Sequence, residues 1–119
     1  MPSLSEEVGA TTAPERNALY QRFVSYAAST TVAAGDVDKT LLFTSGSAQV
    51  YTLKNDAAFV SAGEAVPPIG ATIVAVQTGA GTVTVAAGTA ALTGAALATA
   101  AVGQQKIVRK TAANTWICT

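Results

Sequence analysis

The sequence predicts an all-β fold, a small antiparallel β-sandwich or barrel behind an N-terminal arm, and three observations predict it. The stretch Ala65 to Gln105 contains no charged residue. Within it, Thr72-Ile73-Val74-Ala75-Val76-Gln77 and Thr82-Val83-Thr84-Val85 are β-branched runs that place alternate side chains on opposite faces of an extended chain. Thr72, Val74 and Val76 share one face, and Ile73, Ala75 and Gln77 the other. Gly79-Ala80-Gly81 between the runs has the permissive backbone of a turn, which predicts a hairpin of buried strands. A surface this poor in charge calls for cover, from a second sheet or from neighbouring copies.

Taken in order, Met1 to Ala13 are small, polar and acidic, too poor in apolar surface to fold alone, and are expected to form an arm. Thr12-Ala13-Pro14-Glu15 has capping-box spacing, and Leu19, Phe23 and Tyr26 follow at helical intervals, so a short amphipathic helix is one reading. Phe23-Val24-Ser25-Tyr26 equally reads as an edge strand. The expected organisation is an arm over residues 1–26 and a β body over residues 27–119.

In the body, Thr30-Thr31-Val32 is β-branched and Ala34-Gly35-Asp36 is a turn cluster. Thr40 to Thr44 reads as a strand, Ser45-Gly46-Ser47 as a turn and Gln49 to Leu53 as the partner strand. Asn55-Asp56 and Ser61-Ala62-Gly63-Glu64 bracket a loop, and Pro67-Pro68 precede the next strand because proline cannot sit inside a central one. Ala86 to Val102 is low-complexity and reads as short strands and loops. Gln105 to Lys110, a turn at Ala112-Ala113-Asn114 and Thr115 to Thr119 close the chain as two strands.

Composition narrows the function classes. Seven basic and seven acidic residues give zero formal charge, so attraction to nucleic acid or to an anionic membrane has no electrostatic support. The 119 residues suit one core with an appendage. The lone Cys118 excludes an internal disulfide and reads as a small strand residue. Thr, Gly, Gln and Pro interrupt every apolar window long enough to span a bilayer. The N-terminus lacks the basic start and apolar run of a secretory signal, so assembly in the cytoplasm where the chain is made is expected.

The blocks Asp38-Lys39-Thr40-Leu41-Leu42-Phe43, Val50-Tyr51-Thr52-Leu53, Pro68-Ile69-Gly70-Ala71-Thr72-Ile73, Gln77 to Val85 and Asn114-Thr115-Trp116-Ile117 carry a resemblance. In this order they resemble a β module recurring in structural proteins of tailed bacteriophages, in head decoration proteins, head fibres and tail fibres. The resemblance implies an antiparallel β-sandwich or barrel that usually forms a homotrimer, located in the virion. Members often carry proline-rich or asparagine-rich loops where this chain has Asn55 to Val60. A module standing behind a short arm suits a capsid decoration, or cement, protein on the capsid surface with the major capsid protein as partner. The alternative is a head or tail fibre module that binds a host-surface glycan.

The chemistry-bearing residues support no enzyme, cofactor or metal. Histidine is absent, which removes the usual general base. Asp36-Val37-Asp38 could pair carboxylates on a cation but reads as a solvated loop. Gly79-Ala80-Gly81 lacks the third glycine and following helix of a phosphate loop. Lys106 and Lys110 alternate with Arg109 as a solvated or interfacial strand, and Trp116 reads as a core plug. Capsid contact is expected from Arg16, Leu19, Tyr20, Arg22, Phe23 and Tyr26, because aromatic residues and arginine dominate interface energetics.

Overall fold

Alternation is the first determinant of this structure, a computed structural model that describes residues 22–119. Wherever the sequence alternates, one face of a strand is buried and the other is not. The strands are β1 (Phe23–Tyr26), β2 (Thr30–Thr31), β3 (Thr40–Phe43), β4 (Gln49–Thr52), β5 (Thr72–Gln77), β6 (Val83–Ala86), β7 (Ala91–Thr93), β8 (Gln105–Ala112) and β9 (Thr115–Cys118). A single-turn 3-10 helix spans Ala34–Asp36, and a short α-helix, α1, spans Asp56–Ser61. The described chain is mostly β, with mixed sheets.

Pairing departs from the expected antiparallel arrangement. A six-stranded sheet has the order β1-β3-β5-β8-β9-β7, and a three-stranded sheet the order β2-β4-β6. Pairs β1/β3, β3/β5, β2/β4, β4/β6 and β7/β9 are parallel, whereas β5/β8 and β8/β9 are antiparallel. The first six strands therefore form three stacked rungs, each giving one strand to either sheet. The hairpins expected of β3 with β4 and of β5 with β6 do not form. At residues 44–48 and 78–82 the chain turns out of one sheet into the other.

Backbone hydrogen bonds between the two corners explain why. The Thr78 and Gly79 amides donate to the Phe43 carbonyl at 2.9 and 3.2 Å, the Gly81 amide donates to the Ser45 carbonyl at 3.0 Å, and the Gln49 amide donates to the Thr82 carbonyl at 2.8 Å. One corner lies directly on the other. A side chain at Gly79 would collide with the carbonyls of Thr44 and Ser45, and one at Gly81 with the Ser47 carbonyl. Glycine is needed here for close approach between backbones.

The inward residues of both sheets join in one core. Leu41 and Phe43 of β3, Tyr51 of β4, Ile73 and Ala75 of β5, Val83 and Val85 of β6, Val108 of β8 and Trp116 and Cys118 of β9 are all buried in it. Trp116 thus plugs the core as its position in the sequence suggests. Each large side chain among these contributes roughly 1.5–3 kcal/mol by leaving water.

Of the two readings of this segment the helix through Leu19, Phe23 and Tyr26 is corrected for the described part and the edge strand is borne out: Phe23–Tyr26 lies at the edge of the six-stranded sheet, in register with Thr40–Phe43 along its whole length. Val24 and Tyr26 face the core at period two, a spacing that a helix would not give. The sheet therefore begins inside the segment assigned to the arm. Residues 1–21, which include the rest of the arm and the capping box, lie outside the described residues.

The long connection from β4 to β5 is helical where a loop was expected. The Asn55 side chain accepts from the Ala58 amide at 2.9 Å as an N-cap, and Phe59 is driven fully into the core. Asn114, at the β8–β9 turn with φ 59°, accepts from the Asp56 amide at 2.8 Å and ties that turn to the helix. Leu97 and Thr99 bond to Val85 and Val83 and cover the outer edge of β6.

Gly81→Ala is expected to lower unfolding free energy by about 2 kcal/mol or more, because the backbone of the neighbouring corner must shift. Gly46→Ala, whose side chain would meet open space, should stay within about 0.5 kcal/mol of the parent. Urea unfolding of both variants checks the corner argument.

Candidate functional site

Strand β1 divides the residues expected to contact a partner. Phe23 points outward and is 57% exposed, and Arg22 is exposed just before it. Tyr26 faces inward. Its ring lies 5.6 Å from that of Phe43, and its hydroxyl donates to Asp36 at 2.6 Å, so it belongs to the protein's own interior. Arg16, Leu19 and Tyr20 lie outside the described residues.

Asp36 is buried, a correction to the solvated-loop reading of Asp36-Val37-Asp38. One carboxylate oxygen accepts from Tyr26, and the other accepts from the Tyr51 hydroxyl at 2.8 Å and the Ala33 amide at 3.0 Å. A buried carboxylate is tolerable when such donors surround it. Burial, reinforced by Asp36, pushes the hydroxyls of Tyr26 and Tyr51 well above the ordinary tyrosine value. Asp38 follows in a left-handed conformation at φ 62°. Among the described residues no three His, Cys, Asp or Glu side chains gather as a metal would require.

Lys110 is also buried, against the expectation of a solvated or interfacial basic strand. Its ammonium reaches Asp56 at 2.7 Å and the Pro67 carbonyl at 2.7 Å, fastening the β4–β5 connection to β8. On the same connection Lys54 pairs with Glu64 at 2.8 Å and sits 4.6 Å above the Phe59 ring. The hydrogen bond from Lys54 holds the Glu64 carboxyl below its ordinary range, with burial opposing. These charges serve the fold.

Polar groups also line the interior near the corners. Thr99 donates to the Gln77 side chain at 2.6 Å and accepts from the Val83 amide at 2.9 Å. Gln49 is buried with neither amide atom hydrogen-bonded. Cys118 is a buried free thiol, raised by desolvation with Lys106 partly offsetting. It borders a depression of about 380 Å³ lined by Gly94, Ala95, Ala96, Lys106, Ile117 and Thr119.

One apolar surface outside these ties is the outer face of the six-stranded sheet. Register aligns Phe23, Thr40, Val74 and Ile107 in one row, and Ser25, Leu42, Val76 and Gln105 in the next. Leu42, Val74, Val76 and Ile107 are only half-buried, and none belongs to the core cluster or to the residues packed against it. Neither row contains a charge. Leu42 and Ile107 were not among the residues expected to touch a partner; the signal available was that both alternate faces of Thr72–Gln77 carry aliphatic side chains.

Comparison with protein families, characterised proteins and solved structures finds no match to this chain.

The tyrosine environment sets an alkaline limit. A hydroxyl raised in the folded state keeps a proton that the unfolded chain releases, so its stabilising contribution is full below the unfolded value near pH 10 and is lost as pH rises through the folded value. Urea unfolding between pH 8 and 11 should show stability falling above pH 10, by at most about 1.4 kcal/mol per pH unit for each tyrosine. Tyr51→Phe should flatten that fall. Gln49→Met, which replaces an unpartnered amide by an apolar chain of similar length, is expected to raise stability by about 1 kcal/mol in the same assay. A loss of stability would show that the amide is satisfied by internal water.

Proposed function

We propose that this chain is a non-enzymatic structural protein of a phage virion, a capsid decoration protein that cements neighbouring capsomers. In this reading the two sheets are the layers of a small β-sandwich, and copies join as a homotrimer on the capsid surface. The observation that carries it is the pair of uncharged rows on the outer face of the six-stranded sheet, Phe23-Thr40-Val74-Ile107 and Ser25-Leu42-Val76-Gln105, a surface suited to lasting contact rather than to turnover. The ordered sequence blocks that resemble bacteriophage structural modules add support.

The mechanism is burial of apolar area at subunit junctions, multiplied by several attachment points per oligomer. Arg16, Leu19, Tyr20, Arg22 and Phe23 are the proposed contacts to the major capsid protein. Tyr26 is withdrawn from that set because its ring and hydroxyl are used internally. The ionisable residues described above fit the same reading: Asp36 and Lys110 are engaged in bonds that hold the connections, which suits a scaffold.

Quantitative mass spectrometry of purified virions from the strain that carries the gene tests the assignment. On the order of hundreds of copies per particle are expected of a decoration protein that follows the capsid lattice. A few to a few tens would instead favour a fibre module that binds a host-surface glycan. Absence from the particle would overturn both.

A further inference from the structure

Strand β8 turns Lys106, Val108 and Lys110 towards the interior, because these alternate with Gln105, Ile107 and Arg109. Val108 enters the core, and Lys110 is held by Asp56 and the Pro67 carbonyl. Lys106, aligned with the buried Ala75, takes the third inward place without an acceptor. Among the described residues its ammonium makes no ion pair or hydrogen bond. It lines the depression of about 380 Å³ beside Cys118. A cation on the interior side of a sheet with nothing to accept its protons is suited to receive an anion.

We propose that this depression binds a small aliphatic monocarboxylate, with the carboxylate on the Lys106 ammonium and the hydrocarbon chain against Ala95, Ala96 and Cys118. The site goes beyond the decoration reading and does not rest on it.

The walls are fixed by backbone. Strand β7 runs parallel beside β9, and the chain leaves it through Gly94, which lies so close to the end of β9 that a Cβ there would meet the Cys118 carbonyl. The Cys118 thiol donates to the Ala96 carbonyl at 4.0 Å, and the Leu97 carbonyl accepts from the Val85 amide at 2.8 Å. Segment 94–97 is therefore anchored on β9 at one end and on β6 at the other. The short side chains of Ala95 and Ala96 leave the space beside them open.

The lining decides the class of ligand. Ala95, Ala96 and Gly94 offer no side-chain hydrogen bond, and the Cys118 thiol is already engaged. Thr119, at the rim, uses its backbone amide and carbonyl on Ile107 at 2.9 and 3.0 Å. One cation beside an apolar wall fits one anionic head with an apolar body, and a sugar or nucleotide would find too few polar partners. The Lys106 charge acts on the Cys118 thiol, partly offsetting the rise that burial causes, so the ammonium stands near the floor of the depression. A volume of about 380 Å³ is near the lower end of the roughly 300–1,000 Å³ of ligand sites, which suits a short chain.

NMR titration of the full chain with sodium hexanoate at constant ionic strength tests the assignment. Saturable shifts centred on the Ala95, Ala96 and Cys118 amides are expected, with an affinity of millimolar order. Hexanol, which lacks the charge, and acetate, which lacks the chain, are each expected to bind about tenfold or more weakly. Lys106→Met should weaken hexanoate binding about tenfold or more. Ala96→Leu, which fills the depression, should abolish it, and Lys39→Met, outside the depression, should leave it unchanged.

Shifts that fail to saturate, or that centre elsewhere, would overturn the site. Hexanol binding as tightly as hexanoate, or unaltered affinity in Lys106→Met, would overturn the role of Lys106. Acetate binding as tightly as hexanoate, or unaltered affinity in Ala96→Leu, would overturn the apolar wall. The hexanol and acetate comparisons use the unaltered chain, so they decide the assignment even where a variant fails to fold. Copy number per virion is indifferent to all of these outcomes, so failure here and failure of the decoration reading are separable.

Discussion

The rest of the fold depends on the contact between two corners. Residues 78–82 lie on residues 44–48 with backbone bonded to backbone, and this contact holds β5 over β3 and β6 over β4 at the same time. Had the chain reversed at either corner, the strands on its two sides would have paired with each other and one sheet would have replaced two. Gly79 and Gly81 permit the approach because a Cβ at either would meet the carbonyls below. Once the corners are fixed, Leu41 and Phe43 lie opposite Tyr51, Val83 and Val85, and a core exists for the remaining strands to close.

The irregular connections are held in a different way. Stacked strands give their backbone groups partners automatically, but the segments from β2 to β3 and from β4 to β5 leave the stack and must be fastened by side chains. Asp36 fastens the first by drawing two tyrosine hydroxyls and an amide onto one carboxylate. Lys110 fastens the second through Asp56 and Pro67, while Phe59 enters the core from the same segment. Asp36, Asp56 and Lys110 are thereby used as internal ties, and on the outer face of the large sheet the rows that contain Val74 and Val76 carry no charge, with Arg109 in the row beside them.

That outer face follows from the same stacking. Parallel rungs repeat each position above its equivalent, so an aliphatic side chain pointing outward on β3 finds another above it on β5, and β8 continues the row. Isolated outward aliphatics are ordinary on a protein surface, but rungs in register turn them into a continuous patch. The face is thus a consequence of topology acting on an unremarkable alternation in each strand.

The sequence by itself determined that Thr40–Phe43, Gln49–Thr52, Thr72–Gln77, Gln105–Lys110 and Thr115–Cys118 are extended, that alternate residues of Thr72–Gln77 fall on opposite faces, where Pro67-Pro68 and Asn114 interrupt, and that Trp116 is internal. These are consequences of alternation and backbone preference within a few residues, where physics is local. Only the tertiary structure decided that Gly79-Ala80-Gly81 is a corner between sheets and not a hairpin turn, that Phe23–Tyr26 is a strand, and that Asp36 and Lys110 are buried. A Gly-Ala-Gly turn is compatible with either outcome, and the choice is made by a carbonyl of Ser45 about 35 residues earlier in the chain accepting the Gly81 amide. Likewise, Asp36 reads as a solvated acid until Tyr26 and Tyr51 arrive from two separate strands. The candidate face was half legible, since Val74 and Val76 share one side of their strand, but their union with Leu42 and Ile107 is fixed by hydrogen bonds between distant segments, which no short window of sequence contains.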